Sequence, residues 1–199
     1  DVENDSEAEK YLVSANLNLD DLPLIILKDG TWIKDPSLTD LAQKIGLQQT
    51  ASLKMYDVLI IGGGPAGLAA SVYGSCEGLK TILVEKSNPG GQASSSARIE
   101  NYLGFPKGLS GADLTRRAIS QTLRFGTEIL TPKIVRNIRV HDGYKITEMT
   151  DGTEVHSKAV IVATGVEYTK LEITGIEKCT GAGVYYGSAS VEAHACRDE

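Results

Sequence analysis

Residues 56–67 read Tyr-Asp-Val-Leu-Ile-Ile-Gly-Gly-Gly-Pro-Ala-Gly, and this stretch restricts the fold more than any other part of the chain. Residues 58–61 are a short unbroken apolar run, the pattern of a strand buried on both faces of a parallel sheet. Gly62, Gly64 and Gly67 follow in the spacing G-x-G-x-x-G, with Gly63, Pro65 and Ala66 between them and a helix-compatible run at 68–73. Each glycine has its own task. The first permits a tight strand-to-helix turn, the second lets a pyrophosphate approach the backbone, and the third lets helix and strand pack closely. Pro65 suits the first helical turn, where its missing N–H would be unpaired anyway. The unpaired N–H groups and the helix dipole then face a diphosphate. Glu85 follows Gly67 by 18 positions, at the end of a second predicted strand, 81–84. An acid there accepts hydrogen bonds from the ribose hydroxyls of an adenosine. Strand, turn, helix and acid together predict a dinucleotide site. The alternative, a glycine-rich turn beside a core strand, leaves Glu85 unexplained.

The chain has 199 residues, enough for one ordinary domain plus part of another. With 41% hydrophobic and 23% charged residues it has the composition of a soluble globular protein. A net charge of −6 argues against nucleic acid or an anionic membrane as the main partner. No apolar run approaches the ~18 residues that span a bilayer, and no secretory signal opens the sequence. Cys76, Cys179 and Cys196 are too few and too irregular for a disulfide framework or a zinc site. His141, His156 and His194 lie far apart and read as surface or strand residues. No metal site is predicted, and the expected location is the cytoplasm. The sequence opens at Asp1 without methionine and stops at Glu199 with no closing element, so both ends read as cut.

Residues 1–47 form a first segment, 48–54 a linker, and 55–199 a second domain. In the first, Asp20-Asp21-Leu22-Pro23 precedes an apolar run at 24–27, and Asp29-Gly30 signals a hairpin leading into Thr31-Trp32-Ile33. Ser37 can cap a helix over 38–45 that ends at Gly46. From Met55 the pattern predicts strand, helix and strand, then a long polar loop at 86–109. A helix over 111–125 follows, with Ser110 and Asp113 as its capping box. Leu114, Ala118, Thr122 and Phe125 give that helix an inward stripe. Arg116, Arg117 and Arg124 project elsewhere, onto a solvated face or toward phosphates. Predicted strands at 127–130, 135–141 and 144–149, a turn at Asp151-Gly152, and strands at 153–156 and 158–163 form a meander returning to the sheet.

Four further runs narrow the class. Residues 159–165, Ala-Val-Ile-Val-Ala-Thr-Gly, predict a buried strand ending in small residues where a cofactor needs the backbone close. Gly90-Gly91-Gln92 is followed by Arg98-Ile-Glu-Asn-Tyr-Leu-Gly-Phe-Pro and, later, by Gly181-Ala-Gly-Val-Tyr-Tyr. In this order the motifs resemble the low-molecular-weight thioredoxin reductase family over residues 55–199, and within it a bacterial branch with a thioredoxin-like N-terminal extension. Residues 1–47 resemble the second half of a thioredoxin fold. Pro23 matches the proline that is cis in that family and faces its redox site.

The resemblance implies an α/β fold: an FAD-binding, Rossmann-like domain of the two-dinucleotide-binding flavoproteins, carrying a β-meander and preceded by a partial thioredoxin-like segment. It implies FAD at Gly62–Gly67, with Glu85 at the adenosine ribose and Lys86 beside it. Gly90, Gly91 and Gln92 would run along the flavin side, and Asn101 would bond near the isoalloxazine, although Asn101 reads equally well as a turn residue. Val135 would offer its backbone to the adenine, and Thr164 and Gly165 would close the site. NAD(P)H would bind a domain of the complete protein that these residues do not include. A thioredoxin-like or other electron-acceptor protein is the implied partner, and a homodimer the implied assembly.

One departure limits the analogy. The family carries Cys-x-x-Cys just after the motif at 183–186, where this sequence has Gly187 and Ser190. A dithiol couple needs two sulfurs within bonding reach, so the expectation is no catalytic side chain here. The function implied is an NAD(P)H-linked flavin oxidoreductase passing electrons to a disulfide or similar acceptor. The alternatives are a ferredoxin or flavodoxin reductase on the same scaffold, and a non-catalytic flavin-binding sensor.

Overall fold

The computed structural model describes residues 10, 12, 23–167, 169, 171–179 and 184. Gly187, Ser190, His194, Cys196 and most of the 181–186 motif lie outside them, as does Leu22, and with it the peptide bond preceding Pro23. The chain divides into two compact units, Asp1–Gln49 and Thr50–Glu199.

In the first unit, strands β1 (Leu24–Ile26) and β2 (Trp32–Lys34) pair antiparallel around a turn. Gly30 takes the left-handed φ of +83° that makes the Asp29-Gly30 turn possible. Helix α1 (Leu38–Lys44) starts where Ser37 Oγ accepts the Asp40 N–H, and it ends before Gly46 at φ +74°.

The second unit is built on β3 (Tyr56–Ile61), which is parallel to β4 (Thr81–Val84) on one side and to β8 (Glu154–Val162) on the other. Strand β5 (Glu128–Leu130) extends the parallel sheet beyond β4, while β7 (Tyr144–Met149) and β6 (Val135–His141) add an antiparallel wing beyond β8. The sheet order is β5-β4-β3-β8-β7-β6. Alternation then assigns the faces. Ile60, Leu83 and Ile129 pack with Leu68 and Ala70 of α2 (Pro65–Cys76) and with Ala118 and Ile119 of α3 (Gly111–Arg124). Leu59, Ile61, Ile82 and Val84 turn the other way, onto Leu130, Met149 and Val155. Burial on both faces is why residues 58–61 are apolar without interruption.

Several expectations need correction. The two strands expected at 153–156 and 158–163 are one strand, β8, because it changes neighbours at Ser157. Up to Ser157 it pairs with β7, and from Ser157 onward with β3. Beyond Ser157, no strand among the described residues covers its other edge. Ile161 and Val162 are accordingly 41% and 64% exposed, not buried as the apolar run suggests. On α3, Leu114 and Thr122 are buried but Phe125 is exposed, since it lies at the C-cap beyond the packed stripe. Thr115 and Ile119 take part in the inward face instead. Half of the expected capping box forms. Ser110 Oγ accepts the Asp113 N–H at 3.1 Å, while the Asp113 carboxylate pairs with Arg116 and Arg117. These two arginines and Arg124 lie on the exposed face of the helix. The loop at 86–109 contains a 3-10 turn, Gly91–Ser95, and is closed by an Ile99–Leu109 bridge.

Candidate functional site

The C-terminal ends of β3 and β4 lie side by side, so the turns that follow them, 62–64 and 85–91, meet. Gly63 donates its N–H to Glu85 Oε2 at 2.6 Å, and its carbonyl accepts the Gly90 N–H at 2.7 Å. Ser87 donates to Glu85 Oε1 at 2.9 Å. The Glu85 carboxylate is buried; among the described residues Oε2 accepts from Gly63 alone and keeps a lone pair for a further donor, while Oε1 also takes a long 3.4 Å bond from Ser87 Oγ. A Cβ on Gly91 would stand 2.9 Å from the Gly64 Cα. Two backbone turns therefore touch directly, which only glycine permits.

The three motif glycines differ in what surrounds them. A Cβ on Gly62 would collide with the Ala163 carbonyl at the end of β8, and Gly62 has φ +103°. A Cβ on Gly67 would drive into the Gly62 carbonyl oxygen and stand 3.4 Å from Ile60 Cγ2. Gly64 has no such reason. Its backbone is extended (φ −72°, ψ −177°), and its Cβ position meets only the Gly91 Cα at 4.0 Å. The space beside Gly64, at the N-terminus of α2 with Pro65 in its first turn, is a cradle that the described residues leave unfilled.

The remaining expected site residues fall into two groups. Some border the turns. Ala66 is exposed at the start of α2, the Thr164 Cα would stand 3.1 Å from a Gly62 Cβ, and Gly165 follows with φ +71°. Lys86 forms an exposed ion pair with Glu167 at 2.6 Å, and Gln92 Nε2 donates to the Val166 carbonyl at 2.7 Å. Both side chains thus hold the segment that leaves β8. The Glu167 contact also raises the Lys86 ammonium above its ordinary pKa. The others stand apart from the turns in their local contacts. Asn101 is exposed within the loop closed by the Ile99–Leu109 bridge, and Val135 opens β6 against the apolar cluster of Leu59 and Met149.

Sequence reasoning missed the supports of Glu85. The Glu85 N–H donates to the Leu130 carbonyl, and its carbonyl accepts the Lys133 N–H at 2.8 Å. Thr131 Oγ1 donates to the Ser87 carbonyl. The Lys133 side chain, only 10% exposed, pairs through Nζ with Asp151 at the β7–β8 turn. Apart from the Asp151-Gly152 turn signal, nothing in the sequence marks these residues. Gly111 was also unremarked: a Cβ there would collide with the Ala93 carbonyl of the 3-10 turn, so it too is a contact glycine.

The hydrogen bond from the Lys133 ammonium, followed by that from the Thr153 hydroxyl, holds Asp151 below its ordinary 3.8, at about 2. A carboxyl pKa depressed on folding adds stability above the unfolded value, and that stability is lost as pH falls through the folded value. Asp151 is 44% exposed, so solvent screening reduces the contribution to about 1 kcal/mol. Denaturant unfolding of the full-length protein should show Asp151→Asn less stable by about 1 kcal/mol at pH 6, with the gap shrinking to about half by pH 3. A gap that stays constant across this range would contradict the assignment.

The sheet order, the glycine turn between β3 and α2, and the meander define a Rossmann-like domain of the two-dinucleotide flavoprotein type. The family profile described as pyridine nucleotide-disulphide oxidoreductase matches residues 56–194, and the chain belongs to that family. Within it the chain is similar to thioredoxin reductases. That of Listeria monocytogenes serovar 1/2a is 41% identical over 134 residues, covering 67% of this chain and 41% of the relative. That of Bacillus subtilis is 38% identical over 135 residues, again 67% and 41%. Among solved structures, the thioredoxin reductase from Streptococcus pyogenes MGAS5005 superposes with a TM-score of 0.59 at 36% identity, covering 64% of this chain and 41% of the other. The T. acidophilum thioredoxin reductase gives 0.58 at 30% identity, covering 66% and 42%. The chain thus spans about two-fifths of the length of these relatives. Among the described residues, no helix is long and apolar enough to cross a membrane.

Proposed function

We propose that residues 55–199 bind FAD, as part of a flavin-dependent, NAD(P)H-linked oxidoreductase that delivers electrons to a disulfide or similar acceptor. One observation carries the reading: of the three motif glycines, Gly64 alone has no neighbour among the described residues that excludes a side chain, so its missing Cβ leaves room for a ligand. The pyrophosphate would lie against Gly62, Gly63 and Gly64, where the N–H groups opening α2 favour negative charge. The buried Glu85 carboxylate would accept one ribose hydroxyl at Oε2, and a second at Oε1 in place of the long Ser87 Oγ contact. Gly90 and Gly91 would keep the backbone low enough for the cofactor to pass, with Gln92, Asn101, Thr164 and Gly165 toward the flavin. Lys86 would lie beside the ribose and the Val135 backbone at the adenine. Bound there, FAD would supply two-electron redox chemistry, and the protein would supply binding, orientation and exclusion of water.

The order of hairpin β1–β2 and helix α1 supports reading residues 1–47 as a partial thioredoxin-like segment, with 48–54 as the linker. With Gly187 and Ser190 at the cysteine positions of the family, the acceptor would be reduced by a route other than a dithiol in this segment. On the family resemblance we place the protein in the cytoplasm as a homodimer. The test is an absorption spectrum of the full-length protein, alone, with NADPH, and then with oxidised thioredoxin. Bound flavin bleached by NADPH is expected. Purified protein that neither carries nor takes up FAD would sink the reading. Bleaching reversed by ferredoxin or flavodoxin but not by any disulfide would move it to the other reductase class.

A further inference from the structure

Glu85 sits at the end of a chain of contacts that begins across the sheet, at the β7–β8 turn. Asp151 in that turn accepts the Thr153 N–H and hydroxyl with Oδ1 and pairs with Lys133 through Oδ2. The Lys133 side chain is almost fully covered, so its ammonium depends on this one carboxylate far more than a surface lysine would. Next along the chain, Ile134 accepts the Thr150 N–H through its carbonyl at 2.9 Å. Segment 131–134 is therefore fastened to the β7–β8 turn by a backbone bond and an ion pair. Its opposite side faces the site. The Lys133 N–H holds the Glu85 carbonyl, and Thr131 Oγ1 holds the carbonyl of Ser87, whose own N–H is one of the two backbone donors on the Glu85 carboxylate. Each link is a direct hydrogen bond or ion pair.

We propose that the Lys133–Asp151 ion pair is a positioning couple for Glu85, fixing segment 131–134 so that the carboxylate is held toward the adenosine ribose. The inference rests on the FAD reading given above. It assigns to the antiparallel wing, which contributes neither glycine turn, a share in cofactor affinity. Neither Lys133 nor Asp151 touches the cofactor; both act through the backbone that brackets Glu85. Losing either partner leaves the segment tied to the β7–β8 turn by the Thr150–Ile134 bond alone, and this looser hold lets the carboxylate sample orientations that miss the ribose hydroxyls.

A double-mutant cycle on the full-length protein tests this, with FAD affinity read by quenching of flavin fluorescence. Asp151→Asn and Lys133→Met should each raise the FAD Kd about 5- to 10-fold when Glu85 is present. In a Glu85→Gln background the same substitutions should change Kd by less than about 2-fold, because the group they position no longer binds as a carboxylate. Equal losses in both backgrounds would show a general effect on the fold and overturn the proposal, as would no loss in either. If Glu85→Gln alone leaves FAD affinity unchanged while the protein still binds FAD, the assignment of Glu85 fails first, and this inference falls with it. Using two variants on opposite sides of the pair guards against one of them failing to fold.

Discussion

Gly67→Ala should destabilise the full-length protein by roughly 3 kcal/mol or more, a large part of the ~5–15 kcal/mol that holds a domain together. The added methyl would point into the Gly62 carbonyl oxygen, with Ile60 Cγ2 at 3.4 Å behind it. A flexible side chain could swing aside, but a backbone carbonyl cannot. Gly62 is held on its other side by its N–H bond to the Val84 carbonyl at 2.8 Å. Relief would require α2 to lift from β3, opening the contact of Leu68 with Ile60 and Leu83. Denaturant unfolding of the cofactor-free protein measures this directly. A loss below about 1 kcal/mol would mean that helix and strand are not pressed together at Gly67.

Gly64→Val should do the reverse: a stability loss of at most about 1 kcal/mol in the cofactor-free protein, from replacing Gly at the N-cap of α2, and FAD binding lost by about 100-fold or more. The extended backbone at Gly64 suits a β-branched residue, and the one neighbour of the new Cβ among the described residues is at van der Waals distance. The branch would instead fill the cradle where the pyrophosphate is proposed to lie. Thermal unfolding without cofactor and fluorescence titration with FAD separate the two effects. Retained affinity would remove the pyrophosphate from this turn. A large stability loss would show that Gly64 is a packing glycine like Gly67. The two substitutions lie three residues apart in one motif, so opposite outcomes would separate its structural from its binding component.

Much of the architecture was legible because its signals are local. The apolar run before Gly62, the proline after Gly64 and the apolar residues at 81–84 each report on their own few residues, and β3, α2 and β4 stand where those signals put them. The Ser37 and Ser110 caps and the Asp29-Gly30 turn are of the same kind. The errors have one origin. Whether 153–163 is one strand or two depends on which neighbours pair with it, and β8 pairs with β7 before Ser157 and with β3 after it. Phe125 fits the spacing of the inward stripe, but the helix ends before it and its ring lies against the Arg124 guanidinium, 5.0 Å from the ring centroid. Ile161 and Val162 read as core because they are apolar, although burial also requires something to cover them.

By itself, the sequence determined the glycine turn, its flanking strand and helix, the acid at the end of the second strand, and with them the family. A backbone that must turn tightly, pack closely and approach a phosphate admits few residue types, and their spacing is fixed by the turn. Only the tertiary structure decided which glycines answer to packing and which has an open Cβ position, since that depends on Ala163, Gly62 and Gly91 arriving from other segments. It also decided that Lys133 and Asp151, 18 residues apart, pair beside the segment that bonds to Glu85, and that Lys86 and Gln92 hold the segment leaving β8 across separations of 81 and 74 residues. Polar pairs at such distances leave no periodic trace in a sequence. They exist only once the sheet has brought their strands to the same end.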